Sequence, residues 1–146
     1  MQNHILQAKH NEKFHDCICT EFPDRFFDWK ITVLFYQAIH YLKALAAQKG
    51  IDIGDTHYEI ERNINPDRQS PKMAITKGAW REYNALYQYS QTARYNGITD
   101  FDTFEKLKET DYKFAVQNLG KFKKYLKSVG LKNDEESKEE AKPNLA

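Results

Sequence analysis

Six side chains in this sequence have the chemistry to handle a phosphate ester: Tyr36, His40, His57, Arg62, Arg94 and Tyr95. Cleaving a phosphodiester without a metal needs a base for the attacking hydroxyl, an acid for the leaving oxygen and a cation for the charge on the non-bridging oxygens. His40 and His57 are of the type that titrates near neutral pH, which makes them the candidate acid and base. Arg94 and Arg62 are the candidate phosphate contacts, because a guanidinium fork matches two phosphate oxygens at once. Tyr36 lies one helical turn before His40, and Tyr95 follows Arg94 directly. The same residues also have a purely structural reading. His40 would be a hydrogen-bonded bundle histidine, His57 a helix-end residue, and the two arginines partners of carboxylates such as Asp28 or Asp111.

Other chemistry is poorly supported. His4, His10 and His15 are spaced by six and five residues, which does not place them together on one helix face, and no carboxylate pair joins them. Cys17 and Cys19 are the only cysteines, too close for an ordinary disulfide and without a second pair to complete a zinc site. Neither a metal nor another cofactor is expected. Trp29, Trp80, Tyr83 and Tyr87 could stack nucleobases, although such residues at helical spacing more often fill cores or dimer contacts.

The elements that must position these residues read as helices. Residues 2–20 form a first helix, with Leu6, His10, Phe14, Cys17 and Ile18 able to share a face and Cys17 set toward the core. Phe22-Pro23-Asp24 ends it, and Asp24 can cap the next. From Asp28 to Ala47 runs a helix with two apolar faces. One carries Phe27, Ile31, Leu34, Phe35, Ala38, Leu42 and Leu45; the other carries Trp29, Val33, Tyr36 and His40. A helix apolar on two sides belongs in the middle of a bundle. Gly50 stands at its natural C-terminal stop.

Thr56 with Glu59 three residues on is a capping-box pattern, so His57–Asn63 reads as a short helix. Residues 66–76, with Pro66 and Pro71, read as a connection. Lys77–Tyr95 is a further helix, closed by Asn96-Gly97. Thr99 or Asp102 caps a last helix whose core face is Phe104, Leu107, Phe114, Ala115, Leu119, Phe122, Leu126 and Val129, interrupted by Asp111 and ended by Gly130. Its lysines read as a solvated face.

The expected fold is therefore all-α: an up-and-down bundle of four main helices plus one short helix. Residues 1–131 form one domain, and the charged tail 132–146 is expected to be disordered. With 146 residues, 9 Tyr and 9 Phe, the chain can bury a core without disulfides. A net charge of +1 gives no global pull toward nucleic acid or membrane. No signal peptide or membrane-length apolar run is visible, and reduced thiols fit a cytoplasmic protein.

The order of motifs carries one resemblance. Asp28-Trp29 is followed by Phe35-Tyr36-Gln37-Ala38-Ile39-His40-Tyr41, Gly50, Thr56-His57 with Arg62, then Tyr83-x-x-Leu86 and Ser90-x-x-Ala93-Arg94-Tyr95. This resembles the HEPN superfamily of small helical domains, in its stand-alone prokaryotic branch, over residues 5–130. The resemblance implies a helical bundle, often a homodimer, that binds nucleotide or RNA. Many members are metal-independent ribonucleases of toxin–antitoxin or anti-phage systems, which implies an antitoxin partner. Their catalytic motif is an arginine followed after four to six residues by a histidine. Here no histidine follows Arg62, Arg68, Arg81 or Arg94, and the pair His57 to Arg62 runs in the reverse order. The alternative is a dimeric interaction module without catalysis.

Overall fold

The computed structural model describes residues 2–95 and 100–132, apart from the side chains of residues 94 and 95. These described residues form five helices, in the order α1 (Gln2–Glu21), α2 (Phe27–Gln48), α3 (His57–Ile64), α4 (Lys77–Tyr95) and α5 (Phe101–Ser128). The all-α bundle of four main helices and one short helix is thus what the chain forms. No strand occurs among the described residues. The charged tail lies outside them from residue 133 onward.

Helix α2 is the axis. It packs against α1, α4 and α5, and Ile31, Leu34, Phe35, Ala38, Tyr41, Leu42 and Leu45 are buried along it. The neighbours run alternately. His4 meets His40 while Lys30 reaches the carbonyl of Phe22, so α1 is antiparallel to α2. Lys108 meets Thr92 while Tyr125 meets Thr76, so α4 is antiparallel to α5. Tyr112 packs on Phe27 and Lys123 lies over Tyr41, so α5 runs parallel to α2 across the bundle.

Both long stops are Schellman motifs. Gly50 has φ +70° and Ile51 N–H donates to Ala46; Gly130 has φ +111° and Leu131 N–H donates to Leu126. Gln48 ties the two ends together, donating to the Gly130 carbonyl and accepting from Lys132 N–H. The capping box at Thr56 and Glu59 is present. Gly54 makes it compact: its φ is +94°, and a Cβ there would lie 2.4 Å from the Glu59 side chain. The connection after α3 is pinned, since Met73 and Ile75 donate to the last carbonyls of α3 and bury their side chains.

Two expected helix caps are corrected. The α2 N-cap is Phe26, in the left-handed region and without a side-chain cap, rather than Asp24. The loop is held instead by Lys30, only 1% exposed, whose ammonium donates to the carbonyls of Phe22 and Pro23 and lies 4.5 Å from the Phe27 ring centroid. The cap of α5 is Asp100, which accepts from Asp102 N–H and Thr103 Oγ1; Thr99 lies outside the described residues.

The inward face of α1 is Ile5, Ala8, Glu12, His15 and Cys19, and Leu6, His10, Phe14 and Cys17 point outward. Glu12 and His15 find polar partners on α2 and α5, which allows a half-polar stripe to be the packed one. In the same way, Leu107 and Phe114 of α5 are exposed, while Lys108 is buried because its ammonium bonds Thr92 and Asp111.

Lys30 yields a stability prediction. Lys30→Ala should cost about 2–4 kcal/mol, because it strands two carbonyls and removes a buried stem. Lys30→Met, which keeps the stem, should cost less. Urea unfolding of the three proteins checks this. Equal midpoints would show that the ammonium contributes nothing.

Candidate functional site

The expected constellation is spread over separate places. His40, on α2, faces α1: its Nδ1 lies 3.2 Å from Nδ1 of His4, and the two rings stack with centroids 5.5 Å apart. His57, the first residue of α3, stacks on Tyr87 of α4 with centroids 3.4 Å apart and planes 9° apart. Among the described residues no hydrogen bond or ring contact joins His40 to His57. The His57 Nδ1 and the Tyr83 hydroxyl are both buried and make no hydrogen bond. Tyr36 is exposed on α2 beside Phe35. Arg94 and Tyr95 end α4, with side chains outside the described residues.

Arg62 lies in an open hollow of about 500 Å³ lined by Tyr58, Arg62, Arg68, Gln69 and Ser70. The hollow exists because Asn65-Pro66 ends α3 and the chain then turns through Ser70, in the left-handed region at φ 55°. Arg68 is held at the wall by Glu61, its Nε donating to both carboxylate oxygens at 3.0 and 3.1 Å. Arg62 makes no ion pair or hydrogen bond among the described residues. Tyr58, 63% exposed, presents a ring at the edge. A free guanidinium, a second anchored one, a hydroxyl and an exposed ring can together hold a phosphate and stack a base.

A second concavity runs between α1 and α5 over α2. It measures about 340 Å³, and its wall includes Glu12, His15, Gln37, Tyr112, Gly120 and Lys123. Two polar knots bridge the gap. Glu12 accepts from the Tyr41 hydroxyl at 2.5 Å and from Lys123 at 2.7 Å. Burial works to raise the Glu12 carboxyl, but those bonds outweigh it and hold it below the usual range. His15 Nε2 lies 2.8 Å from the Tyr112 hydroxyl, with Cys19 Sγ 3.4 Å from the same oxygen. Burial, with Cys19 beside it, pushes the phenol well up, so it is a donor at neutral pH. Sequence reasoning missed this groove. Glu12 and Tyr112 lie 100 residues apart and carry no shared motif, and only the polar breaks at Glu12 and His15 in the inward stripe of α1 hint at it.

No helix among the described residues is long and apolar enough to cross a membrane. Among the same residues no three His, Cys, Asp or Glu side chains group as a metal site. In comparison with known proteins, no family model, no curated protein and no solved structure matches this chain.

The histidines set a pH dependence. His4, His15, His40 and His57 all lie below the ordinary imidazole value of 6.5, each chiefly because burial penalises the cation. His4 and Lys43 add to this at His40, and Lys43 adds to it at His4, where Asp55 opposes it. Asp16 opposes it at His15 and Glu61 at His57. A depressed imidazole is neutral in both states above about 6.5, so its share of stability is complete there. Below that value the unfolded chain takes up protons first, and stability falls as pH drops toward the folded values. The urea midpoint should therefore fall from pH 7.5 to pH 5.5, and His40→Gln should flatten the slope. A midpoint that rises over this interval would contradict it.

Proposed function

We propose that the protein is a HEPN-like helical domain that binds nucleotide or RNA, with the hollow at Arg62 as its phosphate contact. The observation that carries this is the unpaired Arg62 guanidinium beside anchored Arg68 and exposed Tyr58. The motif order of the sequence supports it independently, and the bundle fold is of the expected kind. Arg62 and Arg68 would hold phosphate oxygens, and Tyr58 would stack on a base.

The reading is binding rather than catalysis. The family's Arg-then-His motif is absent, and His40 and His57 have separate partners, so no acid–base pair meets a phosphate in the described residues. Both imidazoles are held neutral at pH 7 by burial and offer no cation. The setting that the resemblance implies is a cytoplasmic toxin–antitoxin or defence system, in which an antitoxin is the protein partner.

A second reading, a dimeric interaction module, rests on Trp29 and Tyr36, the exposed members of the second face of α2, whose other members Val33 and His40 are covered. Trp29 is 59% exposed, and Tyr36 stands exposed two turns further on. Large exposed aromatics at such a spacing mark a contact surface. The homodimer belongs to both readings.

Fluorescence anisotropy with a short labelled single-stranded RNA tests the first reading. Arg62→Ala should weaken binding about tenfold and lower the salt dependence, with helicity by circular dichroism unchanged. Tyr58→Ala should weaken it by a comparable factor. Unchanged affinity in both variants would refute the site. For the dimer, light scattering should give twice the chain mass, and Trp29→Glu should halve it; a wild-type monomer at high micromolar concentration would refute the homodimer.

A further inference from the structure

The groove between α1 and α5 has a feature that packing alone does not account for. Gln37, on its floor, is only 2% exposed, yet among the described residues its amide has no hydrogen-bond partner. The residue is enclosed by its neighbours, but its amide atoms are not sealed off and open onto the groove. The other interior polar groups of the wall are engaged with one another: Glu12 with Tyr41 and Lys123, His15 with Tyr112. Of the enclosed polar side chains of the wall, Gln37 is the one with bonding capacity left over; Asp16 lies exposed at the rim.

Gly120 points the same way from the opposite wall. It sits in the middle of α5, where glycine weakens a helix by roughly 0.5–1 kcal/mol relative to alanine. Nothing in the fold requires it there, because a Cβ at this position would meet no atom within 4 Å. What the glycine does is leave the wall low and the groove open.

We propose that this groove binds a small, flat, uncharged molecule that carries a hydrogen-bond donor and acceptor side by side, the edge presented by a primary carboxamide or a nucleobase. The Gln37 amide offers the complementary pair, one N–H and one C=O in a plane. Leu34, Val116 and Leu119 supply an apolar bed for a ring. The volume of about 340 Å³ suits a single-ring ligand. The ligand carries no negative charge, because the one lysine of the lining, Lys123, is already paired with Glu12, and the remaining charge is the exposed Asp16 carboxylate at the rim. The site is separate from the hollow at Arg62 and does not depend on its role.

Amide NMR spectra of the full chain test this with three probes: benzamide, uracil and N,N-dimethylbenzamide. Benzamide or uracil should shift the signals of Gln37 and Gly120 at millimolar concentration, and whichever binds names the source of the edge. N,N-dimethylbenzamide, which lacks the donor, should bind about tenfold more weakly, as should benzamide or uracil to Gln37→Leu. Gly120→Leu fills the groove from a position with free space around it, so it should fold and abolish binding. Arg62→Ala should leave binding unchanged. The proposal is overturned if neither probe shifts these signals, if the dimethyl compound binds equally well, or if Gly120→Leu still binds.

Discussion

A helix whose side chains are buried on nearly every side has to be surrounded, and the bundle is organised by that requirement at α2. From Phe27 to Ala46 most of its residues are out of water. Transferring that much apolar surface is the main favourable term in folding this chain. Three helices take up the task, α1 on one flank and α4 with α5 on the other. Cylinders about 10 Å across cannot all touch each other around a fourth. Helices α1 and α5 therefore meet mainly through long polar side chains, and the groove between them is the space left over.

The polar groups follow from the same geometry. Lys30 and Lys108 are buried cations that use carbonyls, hydroxyls, a carboxylate and aromatic faces in place of water. Glu12 and His15 latch α1 to its neighbours across the groove. Apolar packing alone holds α1 weakly, since only Ile5 and Ala8 are fully buried along its length. These latches, with the His4–His40 contact, make up the difference. They also put three of the four depressed histidines, His4, His15 and His40, at the seating of α1.

Burial decides what the histidines can do. A neutral imidazole accepts or donates a hydrogen bond but does not neutralise a phosphate. With His40 against His4 and His57 against Tyr87, the proposed phosphate contact falls to an arginine, and of the described ones Arg62 is the one free of partners beside a hollow. That distribution favours holding a ligand over cleaving one.

Local signals in the sequence were enough for the helices and their stops. Apolar spacing marked α2, Gly50 and Gly130 marked stops that only a positive φ allows, and Thr56 with Glu59 marked the start of α3. These depend on residues within a turn or two of each other, which is the range over which sequence and conformation are directly coupled. The inward face of α1 was not legible, because Leu6 and Phe14 make the more apolar stripe while Glu12 and His15 make the one that finds partners. For the same reason Leu107 and Phe114 appeared to be core and Lys108 surface. Partners such as Lys123 and Tyr112 lie about 100 residues away from α1, and no spacing rule reaches that far. The types of the candidate site residues could be read from the chain, but the company each one keeps, the free Arg62 and the unpaired Gln37 included, was decided only when the helices closed around α2.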